Sequence, residues 1–131
     1  MAPVEHGAEG LALLLWQADP AVPEKLATPF MHAAAAAAME VPVEIYFTAA
    51  SVKLLLPGVA AGLRASERSD RTLLDALRDA QGQGARLLVC TDALRAHGLT
   101  GQALIPECSG FGGAVQFMAR ALDLRWRTLV F

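Results

Sequence analysis

Leu11-Ala12-Leu13-Leu14-Leu15-Trp16 is an unbroken apolar run, the pattern of a strand covered on both sides within a parallel sheet. Val41–Thr48 alternates instead. Val41, Val43, Ile45 and Phe47 share one face and Pro42, Glu44, Tyr46 and Thr48 the other, which predicts a second strand with one face less buried. Arg86–Cys90 and Trp126–Phe131 read as two further strands, and Gln102–Ile105 as a brief strand or turn.

Helical patterns fill the intervals. One helix runs to about Met39, starting after Pro23 or afresh with Thr28 as cap and Pro29 at its first position. Its Ala33–Ala38 stretch combines high helix propensity with little bulk, which suits close packing. Ala49–Leu56 predicts a short helix stopped by Pro57-Gly58, and Val59–Ser69 a longer loop. Ser69 or Asp70 then caps a helix through Ala80, with Leu73, Leu74 and Leu77 inward and Arg71, Asp75, Arg78 and Asp79 outward. Asp92–His97 is a short helix closed by Gly98. Pro106–Gly110 reads as loop, which exposes Cys108. In the last helix Phe111, Val115, Met118 and Leu122 keep one face, leaving Gln116, Arg120 and Asp123 outside. The alternation of strand and helix predicts an α/β fold, a mainly parallel sheet with helices on both faces. No repeat or boundary divides it, so residues 1–131 are expected to form a single domain with residues 1–10 as a flexible tail.

Composition narrows the partners. With 54% apolar residues in 131, one sizeable core is available. The net charge of −2 and the scattered Lys and Arg leave no footprint for nucleic acid or an anionic membrane. No segment approaches the ~20 apolar residues of a membrane span, and the acidic opening residues do not read as a secretory signal, so a cytoplasmic setting is expected. There the two cysteines, Cys90 and Cys108, are expected as free thiols. No histidine spacing forms a ligand pair, so no metal is expected. Gln17–Pro23, after the first strand, lacks the glycines that bring backbone to phosphate, which weakens a nucleotide reading; no cofactor is expected.

Cys90 carries the candidate chemistry. It stands at the carboxyl end of a predicted strand and the amino end of a helix, where open α/β sheets gather ligands and helix amides favour a thiolate. Asp92 opposes that ionisation, whereas Arg95 and His97, folded toward the sulfur, would favour it. A buried, inert thiol with Arg95 and His97 merely closing a short helix is the competing reading. Thr91 belongs to the same strand-to-helix junction. Trp16, Gln17, Thr48 and Ser51 follow the first two strands and are candidates to line the same crevice, with Trp16 also suited to core or a subunit contact.

Three stretches resemble the DsrE/DsrF-like family of small sulfur-relay proteins: Ala33–Thr48 running on through Ser51-Val52-Lys53-Leu54-Leu55, Leu87–Gly98, and Gly112-Gly113-Ala114 through Trp126–Phe131. The resemblance implies a three-layer α/β/α domain with a mainly parallel five-stranded sheet, assembled as a homo-oligomer, trimer or hexamer. It further implies that Cys90, matching the family's strand-end cysteine, accepts sulfane sulfur as a persulfide from a donor protein and passes it to an acceptor protein. Ala93, Leu94, Arg95 and Gly98 match the helix that follows. Two functions are therefore carried forward: a sulfur carrier or sulfurtransferase using Cys90, and a non-catalytic oligomeric module binding a small ligand or protein partner.

Overall fold

The computed structural model describes residues 5–131. The first four residues of the expected tail lie outside the described residues. By Glu9 the chain is already tied down, its N–H donating to the Arg125 carbonyl.

Five strands, β1 (Gly10–Leu15), β2 (Val43–Phe47), β3 (Arg86–Val89), β4 (Cys108–Phe111) and β5 (Trp126–Val130), form one sheet in the order β4-β3-β2-β1-β5. Every neighbouring pair is parallel. Parallel pairing requires a crossover between strands. Helices α1 (Ala27–Ala38), α2 (Leu73–Gly82), α3 (Thr91–Ala96) and α4 (Ala114–Ala121) supply most of that path, with short 3-10 turns at Pro23–Lys25, Ala49–Leu55 and Ala60–Gly62.

One face of the sheet carries the main core. Leu13, Leu15, Ile45, Phe47, Leu87 and Val89 point there, against Phe30 and Ala33 of α1, Val52, Leu54 and Leu55, and Leu73 and Leu77 of α2, all buried. Phe30 stacks on Phe47 at 6.0 Å between ring centroids. The small α1 side chains let α1 and α2 lie side by side over this face, as the alanine run predicted. The opposite face is thinner. Ala12, Tyr46 and Leu88 seat Phe117 of α4, and Tyr46 meets Phe117 edge to face at 5.4 Å.

Four local readings change. First, β2 is buried along its whole length, both faces included, because α4 lies over Glu44 and Tyr46. Second, residues 108–111 are a strand and not a loop: β4 hydrogen-bonds to β3 as an edge, so Cys108 is half-buried. Its irregular Cys-Ser-Gly-Phe sequence hides the strand, since pairing with β3 and not periodicity creates it. Third, the cap of α2 is Thr72. Its hydroxyl accepts from the Asp75 N–H while the Asp75 carboxylate accepts from the Thr72 N–H, so Asp75 folds back onto the helix start.

Fourth, α4 is turned relative to its sequence pattern. Phe117 faces the sheet and Arg120 bonds the buried Glu44, while Val115 (88% exposed) and Leu122 (76% exposed) face outward with Met118. A carboxylate buried in β2 must be paired, and that requirement sets the rotation of the helix above it.

Candidate functional site

Cys90 follows β3 directly. Its N–H donates to the Phe47 carbonyl, which extends the β2–β3 pairing by one residue, and its carbonyl accepts from Leu94, which starts α3. The chain after β3 turns to the main-core face, where Ala93 and Leu94 are buried. The chain after β4 turns to the other face, into α4. Neighbouring parallel strands whose continuations part to opposite faces leave a crevice at their carboxyl ends. Cys90 occupies that crevice.

The crevice is a cavity of about 270 Å³ lined by Leu14, Tyr46, Thr48, Cys90, Gly112, Gly113, Ala114, Phe117 and Met118. Gly112 brings the β4 end onto the sheet: its N–H donates to the Val89 carbonyl, and a Cβ there would lie 2.9 Å from the Tyr46 ring and 3.0 Å from the Leu88 Cβ. No other residue fits without displacing Leu88 or the ring. Next to it, Gly113 caps α4, and a Cβ at Gly113 would stand 3.9 Å from the Cys90 Sγ. The sulfur therefore lies beside the amino end of α4, where unpaired backbone N–H groups favour negative charge.

Beneath the cavity lies a polar network that no sequence motif announced. Glu44 is buried; its Oε1 accepts from the Tyr46 hydroxyl at 2.7 Å and from Arg120 Nε at 2.8 Å, and its Oε2 from the second Arg120 nitrogen at 3.1 Å. Arg86 stands 3.8 Å from the same carboxylate. Burial pushes the Glu44 carboxyl upward, but the Arg120 and Tyr46 hydrogen bonds and the two guanidinium charges outweigh it and hold the group below its ordinary value. Burial and the adjacent carboxylate push the Tyr46 phenol up to about 12. Arg120 also lies 4.0 Å above the Trp126 ring, and Trp126 covers Gly10, where any Cβ would collide with the indole. The only available signal was the acid in the middle of an apolar strand.

The other candidate residues are dispersed. Thr48 lines the cavity with Cys90. Thr91 and Asp92 line a shallower groove on the far side of Gly112-Gly113. Arg95 bonds Asp92 at 3.0 Å, with both side chains largely exposed, and His97 ends α3 in solvent. Ser51 is fully buried and structural: its hydroxyl donates toward the Leu15 and Thr48 carbonyls and accepts from the Thr48 N–H. Trp16 and Gln17 are exposed at the end of β1, their N–H groups bound to the Phe131 carbonyl, and neither lines the cavity. Cys108 pairs in register with Leu87, and Cys90 lies further along β3 by about 10 Å at ~3.3 Å per residue, beyond the ~7 Å Cα reach of a disulfide. Burial pushes the Cys108 thiol up. Among the described residues, no three His, Cys, Asp or Glu side chains gather as a metal site would require, and no helix is long and apolar enough to cross a membrane.

The DsrE/DsrF-like family model matches residues 12–131, nearly the whole chain. The chain belongs to the DsrE/DsrF-like family. The fold agrees: the crystal structure of the ychN protein from E. coli superposes with a TM-score of 0.67 at 18% identity, covering 93% of this chain and 99% of that one. A protein of unknown function from Methanobacterium thermoautotrophicum gives a TM-score of 0.62 at 20% identity, covering 92% of this chain and 97% of that one. At these identities the likeness is one of fold. Among curated proteins none matches this DsrE/DsrF-like chain significantly.

Proposed function

We propose that this DsrE/DsrF-like protein is a sulfur carrier that accepts sulfane sulfur as a persulfide on Cys90 and passes it to a partner protein. The observation that carries the reading is the position of Cys90: at the end of β3, in the wall of the crevice where β3 and β4 part, with its sulfur beside the amino end of α4. A thiolate is the attacking species in sulfane-sulfur transfer, and the product persulfide is also an anion. One set of backbone N–H groups serves both states. Thr48 also lines the cavity, and a hydroxyl there can donate to the sulfur that arrives.

The carrier acts as a homo-oligomer in this reading, a trimer or hexamer as the family resemblance implies. Support comes from the outward stripe of α4: Val115, Met118 and Leu122, continued by Leu124, are large apolar side chains exposed together.

Intact-protein mass spectrometry after incubation with a sulfane-sulfur donor tests the assignment. A gain of one sulfur, removed by reductant and missing in Cys90→Ser with fold and assembly intact, is expected. Normal loading of the serine variant would eliminate Cys90 as the acceptor, and no loading of the wild type would favour a non-catalytic binding module.

A further inference from the structure

The walls of the Cys90 cavity are apolar. Leu14, the Tyr46 ring, Ala114, Phe117 and Met118 form them with two glycines, and the Thr48 hydroxyl and the thiol itself are the polar side-chain groups among its lining residues. Among the described residues no charged side chain lines it. Arg120 and Arg95, on the helices that follow β4 and β3, are occupied elsewhere, Arg120 with Glu44 and Arg95 with Asp92. The Tyr46 hydroxyl is also turned away, donating to Glu44 beneath the cavity floor.

The amino end of α4 can offset one negative charge at the sulfur. A donor bearing further carboxylates would bring a second negative charge into an apolar cavity without a cation to meet it. A volume of about 270 Å³ is below the usual range for drug-sized ligands and suits a small molecule or a single inserted group.

We propose that the sulfur donor for Cys90 is a small organic persulfide whose organic group is uncharged and apolar, and that persulfides bearing further carboxylates are discriminated against by the charge-free lining of the cavity. The inference rests on the persulfide-carrier reading and names the substrate class of that site. In the step, the Cys90 thiolate attacks the outer sulfur of R–S–SH. One S–S bond forms, the S–S bond of the donor breaks, R–S⁻ leaves with the electron pair and takes the proton of the new Cys90 –S–SH, and Cys90 is left as the –S–S⁻ anion. No external oxidant or reductant is consumed.

The test compares benzyl persulfide with glutathione persulfide, which share the reacting group but differ in charge and polarity. Loading of Cys90 is followed by mass spectrometry, and each rate is divided by that of N-acetylcysteine. In parallel, alkylation of Cys90 by iodoacetamide and by iodoacetate, of similar size but different charge, is mapped by peptide and normalised in the same way. The wild type is expected to favour the benzyl donor at least tenfold and iodoacetamide several-fold. Ala114→Lys, at an exposed cavity-lining position, is expected to bring both ratios down at least threefold. Equal loading from both donors overturns the proposal and leaves the carrier reading standing. Ratios unchanged in Ala114→Lys also overturn it, because the preference then does not come from the charge of the cavity. Loading from neither donor removes the carrier reading and the donor step together, whatever the alkylation ratios.

Discussion

Arg120 grips Glu44 through two hydrogen bonds, 2.8 and 3.1 Å, and so ties α4 to the middle of β2 across 76 residues of sequence. Phe117 is the buried apolar anchor of α4, so this ion pair carries much of the helix's attachment and holds the wall of the Cys90 cavity. Removing Arg120 leaves a buried carboxylate with Tyr46 and the more distant Arg86. Arg120→Ala is expected to cost roughly 2–3 kcal/mol in urea unfolding, more than a surface arginine would. A loss below about 0.5 kcal/mol would show that the pair is not holding the helix.

The same pair sets an acid limit. The carboxyl of Glu44 lies below its ordinary value of 4.5 in the folded chain, so its stabilisation is fully present above that value and is lost as pH falls through the lower folded value. Unfolding free energy should therefore decline below about pH 4.5, and more steeply in wild type than in Glu44→Gln. Parallel acid profiles for the two proteins would contradict this.

Tyr46 is the single tyrosine of the chain, so tyrosinate absorbance reports on it alone. Its midpoint in the folded protein is expected at about 12 against an ordinary 10. Stability from the neutral phenol is thus complete below pH 10 and lost as pH rises toward 12. Glu44→Gln removes the neighbouring charge but not the burial, and should move the midpoint only part of the way back. An unshifted wild-type midpoint would mean that neither the burial of the phenol nor its bond to Glu44 persists in solution.

Gly112 faces two fixed neighbours, the Tyr46 ring and the Leu88 Cβ. Gly112→Ala should destabilise by about 1–3 kcal/mol through overpacking and alter access to Cys90. Gly113→Ala serves as the control, since its Cβ meets only the Cys90 sulfur, at 3.9 Å. Equal thermal shifts in the two variants would refute the close approach at Gly112.

The outward stripe of α4 gives a separate expectation. Leu122→Asp, at a position 76% exposed in the single chain, should leave the fold intact by circular dichroism and lower the mass found by sedimentation equilibrium. A wild-type protein that sediments as a monomer would remove the oligomer from the proposal.

Strand-period and helix-period patterns in the sequence determined most of this molecule. The runs Leu11–Leu15 and Leu87–Val89 are apolar enough to fix two buried strands, and the Thr91–Gly98 segment places Cys90 between strand and helix, because those signals are local and arise from burial and backbone propensity. The family-like segments were legible for the same reason. Only the tertiary structure decided what lies above Glu44 and beside Cys90. β4 exists because β3 offers it a hydrogen-bonding edge, and α4 is rotated by a carboxylate far away in sequence, which turns Val115 and Leu122 outward against the helical pattern. Cys90 likewise meets Gly113 and Thr48 only once the chains after β3 and β4 part to opposite faces. Periodicity records how a segment divides apolar from polar positions; it holds no information about which distant partner will satisfy a buried charge, and that partner sets the geometry of the site.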